Sequence, residues 1–309
     1  MHIGNVLEIW RFPVKSMAGE RVDHTTVGER GIHGDRLWAV RDVDKNVITN
    51  AKSIPGLLMC RARFVDEPAP DVGPGSVPAV EIVLPDGTSV RSTDSDVDAR
   101  LSDALGRRVT LCALREASDR EHYRGVKSNG SEWRAQFAVD DGAALPDFSM
   151  MPLGKLLELG KYATPPGTYF DAMTLHVVTT ASLGTFDRRR FRANIVVDTG
   201  DARGYLEQTW SGATLAAGAM EALIECPTPR CSMPTRAQPD VPADKTVLKT
   251  LARDADRCLG AYASVARSGA LRVGDEVTLR MPESSKLGDW ARARANGLKR
   301  VLLRAALPK

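Results

Sequence analysis

The sequence lacks a large excess of charge of one sign. Its 42 lysines and arginines nearly balance 39 aspartates and glutamates, which leaves a formal net charge of +3. Proteins built mainly to grip nucleic acid concentrate Lys and Arg against the phosphate backbone. The balance therefore argues against nucleic acid as the main partner.

The sequence also lacks long apolar runs and a regular cysteine pattern. No stretch reaches the roughly 18 apolar residues of a membrane-spanning helix, and Met1 to Asn5 begin without the basic segment of a signal peptide. Five cysteines, an odd number at irregular spacing, predict reduced thiols rather than a disulfide framework. We therefore expect a cytoplasmic globular protein with no membrane span, long enough at 309 residues for about two domains.

Common catalytic signatures are missing as well. The chain has no Walker-type phosphate loop, no G-x-G-x-x-G, no H-E-x-x-H and no G-x-S-x-G. No C-x-x-C pair exists, which weighs against structural zinc and iron–sulfur clusters. The histidines are scattered, and we interpret each as a surface or packing residue.

What the sequence does contain is a series of short apolar runs separated by turn signals. Residues 6–12, 37–42, 81–84, 175–179, 193–197, 222–225, 262–265 and 276–279 predict strands, and 94–106 predicts a short helix with a glycine stop. Many short strands favour a barrel or sandwich. Apolar residues at helical spacing over 284–306 predict a C-terminal amphipathic helix, and the polar stretch 116–150 predicts a connector or flap.

Three polar elements next to predicted strands are candidates for anion binding. Lys15 and Ser16 follow the first strand, where a cation, a hydroxyl and free amides can receive a phosphate, although most Lys-Ser pairs are solvated turn residues. Arg36 lies near the start of the next strand, beside Asp35, its natural ion-pair partner. The hydroxyls of Thr180 and Ser182 follow another strand, and a helix N-cap there is compatible with anion binding.

Two further elements point to a ligand. Arg192 and Asn194 share one face at period two, as ligand-binding residues or as a solvated barrel rim would. Cys231 follows Arg230 in a loop with two prolines. A cationic neighbour favours the thiolate, which is a nucleophile and a soft metal ligand, whereas the alternative is a buried structural cysteine.

Together, and in this order, these elements resemble the MOSC family, which is similar to the C-terminal domain of molybdenum cofactor sulfurases and includes an amidoxime-reducing branch. The motifs that carry the resemblance are Pro13-Val14-Lys15-Ser16, Gly34–Val40, Thr179–Leu183, Phe191–Val197, Arg230-Cys231 and Val273-Gly274-Asp275. The resemblance implies an α+β, mainly β fold. It divides the chain into an N-terminal MOSC β-barrel module (1–120), a connector or flap (121–150), the MOSC domain (151–281) and the C-terminal amphipathic helix (282–309).

The resemblance also implies roles for individual residues. Cys231 would be the catalytic thiolate and the ligand to molybdenum in a molybdenum–pterin cofactor (molybdopterin). The residues that would hold the phosphate and pterin are Lys15, Ser16, Arg36, Arg192, Asn194 and Arg230, with Thr180 and Ser182 assisting. The implied reaction is a two-electron reduction of a small N-hydroxylated or related oxidised substrate, with electrons from a separate reductase.

The chain departs from the amidoxime-reducing branch in two places. Residues 232–239 lack an Asp-Pro-Asp-Thr-Gly-like run, and Lys52 stands where an arginine is expected. Both departures concern the substrate and the electron donor more than the cofactor. Two alternatives stay open: a sulfur carrier or sulfurtransferase with a persulfide on Cys231, and a non-catalytic carrier of the cofactor.

Overall fold

The computed structural model describes residues 1–126, 130–138 and 146–283, together with the single positions 297 and 299. The predicted C-terminal helix therefore lies almost entirely outside the described residues, as do two parts of the predicted connector. Within the described residues the chain is mainly β, which confirms the predicted fold class.

The strands are short, apart from three of ten residues. Their bounds are β1 His2–Arg11, β2 Glu20–Val22, β3 His24–Gly28, β4 Gly31–Ile32, β5 Trp38–Asp42, β6 Val47–Ile48, β7 Arg61–Phe64, β8 Val80–Val83, β9 Ser89–Arg91, β10 Val109–Ala113, β11 Leu175–Thr179, β12 Ile195–Asp198, β13 Thr214–Ala217, β14 Met220–Pro229, β15 Cys258–Arg267, β16 Gly269–Arg272 and β17 Glu276–Arg280.

The helices lie between these strands. The α-helices are α1 Val97–Leu105, α2 Gly130–Gln136, α3 Leu153–Lys161, α4 Thr180–Leu183 and α5 Thr246–Asp254, and 3-10 helices span Pro55–Met59, Arg188–Phe191, Leu206–Thr209 and Met233–Thr235. Helix α1 ends as predicted, because Gly106 adopts the left-handed conformation that a side chain disfavours. No helix in the described ranges combines the length and apolar character needed to cross a membrane.

Seven strands close into a barrel. The order is β12-β11-β15-β14-β13-β17-β1, and β1 pairs with β12 to complete the ring. Closure pairs the backbone groups that an open sheet leaves exposed at its edges. Alternate residues of these strands point inward and form an apolar core that includes Val177, Ile195, Leu215 and Ile224. The first strand is therefore part of the barrel formed by the C-terminal half, and the division of the chain at 120 and 150 stays a prediction.

A second core lies in the N-terminal third. The three-stranded sheets β10-β5-β6 and β7-β8-β9 enclose buried residues such as Val40, Leu58, Ile82 and Leu101. Met233, from the segment that follows β14, also packs into this core. The candidate site lies where that segment passes between the second core and the barrel.

A candidate anion and thiolate pocket

One pocket collects most of the candidate residues. It is a cavity of about 60 Å³ that opens to solvent. The lining residues are Arg36, Asp171, Ala172, Met173, His176, Arg190, Phe191, Arg192, Asn194, Pro229, Arg230, Cys231, Met233 and Tyr262. Five of the nine residues predicted to form a site are therefore brought together: Arg36, Arg192, Asn194, Arg230 and Cys231.

Strand β14 delivers Cys231 to this pocket. The sequence predicted a loop around the two prolines before it, Pro227 and Pro229. In the structure both prolines lie within the strand. Proline is tolerated there because the pairing of β14 with β15 is irregular at these positions. The thiol of Cys231 is partly buried and free. The next residue is anchored as well, since Ser232 N donates to Gln136 O at 2.9 Å.

Arg230 lies next to Cys231 in the pocket lining, and two of its three guanidinium nitrogens contact other residues. Its Nη2 donates to Phe191 O at 3.0 Å, and its Nη1 lies 3.4 Å from His176 Nε2. Gly260 makes room for this imidazole, because a Cβ there would lie 2.5 Å from Nε2. Arg230 Nε is buried and finds no partner among the described residues.

Arg192 shows the same pattern. The sequence predicted that Arg192 heads a strand, but β12 begins only at Ile195. Arg192 instead adopts the left-handed conformation at φ 53° and ends the 3-10 helix Arg188–Phe191. Its guanidinium lies 4.2 Å from the Phe12 ring centroid and donates to Met17 O. Its Nη2 is buried and unpartnered in the described part of the chain.

Arg36 and Asn194 are held by the same carboxylate. Asp35 pairs with Arg36 Nη1 and accepts a hydrogen bond from Asn194 Nδ2 at 2.9 Å. Asn194 also bridges two strands, since Nδ2 donates to Trp10 O at 3.3 Å and Oδ1 accepts from His176 N at 3.2 Å. Both amide donors of Asn194 are thus used within the protein, which points to a scaffolding role for this side chain at the pocket wall.

Lys15 lies next to the pocket rather than in its lining. Its buried ammonium donates to Tyr169 O at 3.1 Å and to Asp171 Oδ1 at 2.5 Å. The Asp171 side chain is half-exposed, at 52 %, so it presents the pair to the pocket mouth. Ser16 is buried, and its Oγ accepts a hydrogen bond from Ala51 N at 3.1 Å. It therefore shapes the turn that carries Lys15.

Several positive charges lie close together at the pocket, and some of them are buried. Burial, followed by the nearby Arg36, lowers the pKa of Arg192 to about 9, so its guanidinium remains charged at neutral pH. Burial also lowers the pKa of Lys15, against the opposing attraction of Asp171. Although burial acts in the other direction, Lys15, Lys52 and Arg36 hold the pKa of Asp171 below its usual range. Cations gathered in this way are stabilised by an added anion.

The neutral groups of the pocket are equally well defined. Burial, and then the charge of Arg230, lower the pKa of His176 well below its usual value, so the imidazole is neutral. Burial raises the pKa of the Tyr262 phenol, which therefore keeps its proton. At neutral pH the pocket presents arginines, a carboxylate, a neutral imidazole and a phenol around Cys231.

Thr180 and Ser182, which the sequence grouped with this site, lie at the other end of β11. Thr179, not Thr180 or Ser182, caps helix α4, since its side chain accepts from Ser182 N at 3.1 Å. Ser182 Oγ is buried and bonds to the carboxylate of Glu207. Thr180 Oγ1 contacts Asp198 and Thr199. Their hydroxyls are therefore satisfied within the protein, away from the pocket.

Sequence reasoning did not assign nine of the fourteen lining residues to a site, among them Asp171, His176, Arg190, Met233 and Tyr262. His176 was interpreted as a packing residue because no motif surrounds it. Asp171 precedes β11 by only three residues, and a polar residue ahead of a buried strand was the available signal. Tyr262 lies within β15, and nothing in its local sequence distinguishes it from a core residue.

The donor set favours an anionic group over a bare metal ion. Within the described ranges, no three His, Cys, Asp or Glu side chains come together in a way that could hold a metal. A metal at Cys231 would therefore need further ligands from a non-protein group. The unpartnered arginine donors beside the thiol are suited to the negative charge of such a group.

Comparison with known proteins gives two family matches and several similar relatives. The MOSC domain model matches residues 173–278, and the MOSC N-terminal beta barrel domain model matches residues 3–100. The mitochondrial amidoxime reducing component 2 of Bos taurus is 26% identical, with 89% of this chain and 83% of the relative covered. The proteins of the same name from Rattus norvegicus and Homo sapiens match with the same identity and coverage.

Two solved structures are also similar to this chain. The YUAD protein from Bacillus subtilis has 10% identity and a TM-score of 0.36, with 91% of this chain and 97% of that chain covered. YiiM from Geobacillus stearothermophilus has 17% identity and a TM-score of 0.26, with 35% and 54% covered.

Proposed function

The chain belongs to the MOSC-domain family, and on that premise we propose that it binds a molybdenum–pterin cofactor through Cys231 and reduces N-hydroxylated or related oxidised substrates. MOSC domains are associated with molybdenum cofactor binding, and the similarity to amidoxime reducing components supports a molybdenum-related function. The specific reductase activity, the cofactor contacts and the substrate class are our proposal.

The single observation that carries the proposal is the surplus of buried donors beside a free thiol. Arg192 Nη2 and Arg230 Nε are unpartnered in the described part of the chain, and both side chains line the pocket that holds Cys231. An unpaired buried donor costs about 1–3 kcal/mol, so a pocket with two of them is stabilised by an anion that accepts from both. The phosphate of a pterin cofactor has that chemistry, and because the cavity is small the rest of the cofactor would extend through its open mouth.

Each residue then has a role that its contacts support. Cys231 would supply the thiolate ligand, Arg192 and Arg230 would pair with the anionic groups, and Lys15 and Arg36 would add positive charge. Asn194 and Ser16 hold these side chains in place through the bonds described above. Asp171 offsets part of the cationic charge at the mouth. Arginine suits phosphate because its planar donors can bind two oxygens at once.

The chemistry itself would belong to the cofactor. When bound, the molybdenum centre would supply a two-electron redox couple. Reduction of an N-hydroxylated substrate consumes two electrons and two protons and releases the hydroxyl oxygen as water. The electrons would come from a separate reductase, and the protein would bind and orient the small substrate. We also propose a cytoplasmic location, which cell fractionation would test.

The experiment is the molybdenum content of protein purified from a host that makes the cofactor. We expect about one metal per chain in the wild type and almost none in Cys231→Ala, because the Cys231 thiolate would be the protein's ligand to the metal. Cys112→Ala is the matched control, since Cys112 is also a partly buried free cysteine but lies on β10 outside the pocket lining. It should keep its metal.

The same preparations distinguish the alternatives. Metal that is retained in Cys231→Ala would contradict the assigned ligand. If neither protein holds metal and Cys231 carries persulfide sulfur, the sulfur-carrier function replaces our proposal. Metal bound at Cys231 without turnover of an amidoxime or N-hydroxylated substrate under any reductant would favour a non-catalytic carrier.

A further inference from the structure

The segment that follows Cys231 forms a closed loop, residues 232–244, which we call the wall loop. Asp244 N donates to Thr235 O at 2.9 Å, and Gln238 and Val241 exchange two backbone hydrogen bonds of 2.9 Å. Its first turn, Met233–Thr235, places Met233 in the pocket lining next to Cys231. The wall loop also coincides with the region in which the sequence departs from the amidoxime-reducing branch.

The buried Arg190 links the two sides of the wall loop. Arg190 Nη1 donates to Pro234 O at 3.2 Å, and its Nη2 donates to Pro242 O at 2.7 Å. Arg190 is only 6 % exposed. A planar guanidinium can reach two carbonyls at fixed geometry, which the point charge of a lysine cannot. Its neighbour Arg189 instead pairs with Asp187 at the surface.

Arg190 also connects the two halves of the pocket. It belongs to the 3-10 helix Arg188–Phe191, and Arg192 follows directly after that helix. Its partners belong to the loop that begins directly after Cys231. The bonds that Arg190 makes to the wall loop therefore join the Cys231 side of the pocket to the Arg192 side, in addition to the bond from Arg230 Nη2 to Phe191 O.

Two other side chains that anchor the wall loop make weaker or more exposed contacts. Arg61 and Asp240 form an ion pair with side chains 50% and 74% exposed, and such pairs contribute little. Arg236 Nη2 donates to Lys52 O at 3.3 Å, near the long end of the hydrogen-bond range. Of these three side chains Arg190 is the buried one, and the backbone bond from Ser232 N to Gln136 O holds the first residue of the loop.

We propose that Arg190 is a positioning residue that holds the wall loop against the pocket and thereby determines which substrates reach the Cys231 side. The part that concerns substrates rests on the proposed function, whereas the part that concerns the loop rests on geometry alone. Loss of Arg190 should release Met233 and expose Cys231, while the barrel stays folded.

The first test needs neither cofactor nor turnover. Cofactor-free protein is alkylated with N-ethylmaleimide, and each cysteine is followed by peptide mass spectrometry. In Arg190→Ala we expect Cys231 to react about tenfold faster. A tenfold change corresponds to a loss of about 1.4 kcal/mol from the free energy that holds the loop closed. Arg189→Ala is the matched control and should react as the wild type does. Cys60 and Cys226, both fully buried, report on general unfolding and should stay protected.

A conservative variant and chemical rescue separate positioning from mere stability. Arg190→Lys should lie between the wild type and Arg190→Ala, and added methylguanidinium should slow Cys231 alkylation in Arg190→Ala but not in Arg189→Ala. An unchanged Cys231 rate in Arg190→Ala would overturn the proposal. So would a joint rise of Cys60, Cys226 and Cys231 in both Arg190 variants, because Arg190 would then support the whole fold.

The second test uses the molybdenum-loaded enzyme. We expect Arg190→Ala to keep its metal and to raise KM for bulky N-hydroxylated substrates about tenfold, with a smaller change in kcat. Equal changes of KM for small and bulky substrates would overturn the specificity role. An enzyme that never loads metal would contradict the proposed function, while the alkylation result would still decide the role of Arg190.

Discussion

The two ends of strand β11 (Leu175–Thr179) differ in chemistry. Both carry clusters of polar side chains that could bind an anion. At the Thr179 end, Glu207 reaches back and accepts hydrogen bonds from Thr179 N and Ser182 Oγ. At the His176 end, arginine donors outnumber the acceptors that the described residues supply. A carboxylate from the protein itself thus occupies the place at one end that a ligand would take at the other.

The difference lies in what completes each cluster. Burial raises the pKa of Glu207, because the carboxylate is taken out of water at a site where its hydrogen bonds only partly compensate. At the pocket end the carboxylates Asp35 and Asp171 are each already paired with a cation. The pocket end is therefore the one that is left open for an external anion.

The largest expected effect is a loss of cofactor affinity at the pocket end of β11, which we call the open end. Arg192→Met removes the unpartnered donor and should lower cofactor affinity about a hundredfold, because a buried charged contact is worth about 2–5 kcal/mol. Molybdenum per chain after dialysis measures it. Thr180→Val, at the Thr179 end of β11, is the control and should keep its metal.

Arg192→Met carries a second expectation that sharpens the comparison. In cofactor-free protein the free energy of unfolding should stay the same or rise, because an incompletely paired buried cation is removed. Urea unfolding measures it. If the variant instead keeps its metal, or if Thr180→Val loses it equally, the two ends of β11 do not differ as described.

The next effect is a loss of folding stability at the Thr179 end of β11, which we call the closed end because Glu207 satisfies its donors. Ser182→Ala leaves the buried Glu207 without its hydroxyl donor and should lower the free energy of unfolding by about 1–3 kcal/mol. Metal content should not change, since the hydroxyl lies outside the pocket lining. Ser149→Ala is the matched control, because Ser149 Oγ is buried but finds no hydrogen-bond partner in the described ranges. A smaller loss in Ser182→Ala than in Ser149→Ala would contradict the assignment.

Sequence reasoning predicted the mainly β fold and the pocket's Arg230-Cys231 pair, because these depend on local patterns and on neighbours in the chain. It assigned Thr180 and Ser182 to the site but left His176, at the other end of β11, as a packing residue. The hydroxyls of Thr180 and Ser182 give the same signal whether a helix start binds a ligand or is satisfied internally. The deciding residue, Glu207, lies far from both in sequence and is brought to them by the fold.

Arg192 illustrates a second limit of the sequence. Period-two spacing predicted that it shares a strand face with Asn194. In the structure Arg192 itself adopts the left-handed backbone conformation, and its guanidinium packs on the Phe12 ring. Such a conformation costs energy in a residue with a side chain, and long-range contacts have to hold it. Asp171 was missed for a related reason, since its importance arises from Lys15, far away in the chain.

The smallest effect concerns the titration of the closed end. Because the pKa of Glu207 is raised in the folded protein, the native state keeps a proton that the unfolded chain has lost at pH values between the unfolded and the folded pKa. The folded wild type is therefore favoured at pH values below the ordinary glutamate pKa of about 4.3, and this contribution is lost as the pH rises through the folded pKa.

Glu207→Gln does not titrate and can still hydrogen-bond both Thr179 N and Ser182 Oγ. The free energy of unfolding of Glu207→Gln minus that of the wild type should thus increase with pH in urea titrations. A difference that stays flat, or that falls with rising pH, would show that Glu207 enters the fold as a well-compensated carboxylate, and the contrast between the two ends of β11 would then rest on the arginines alone.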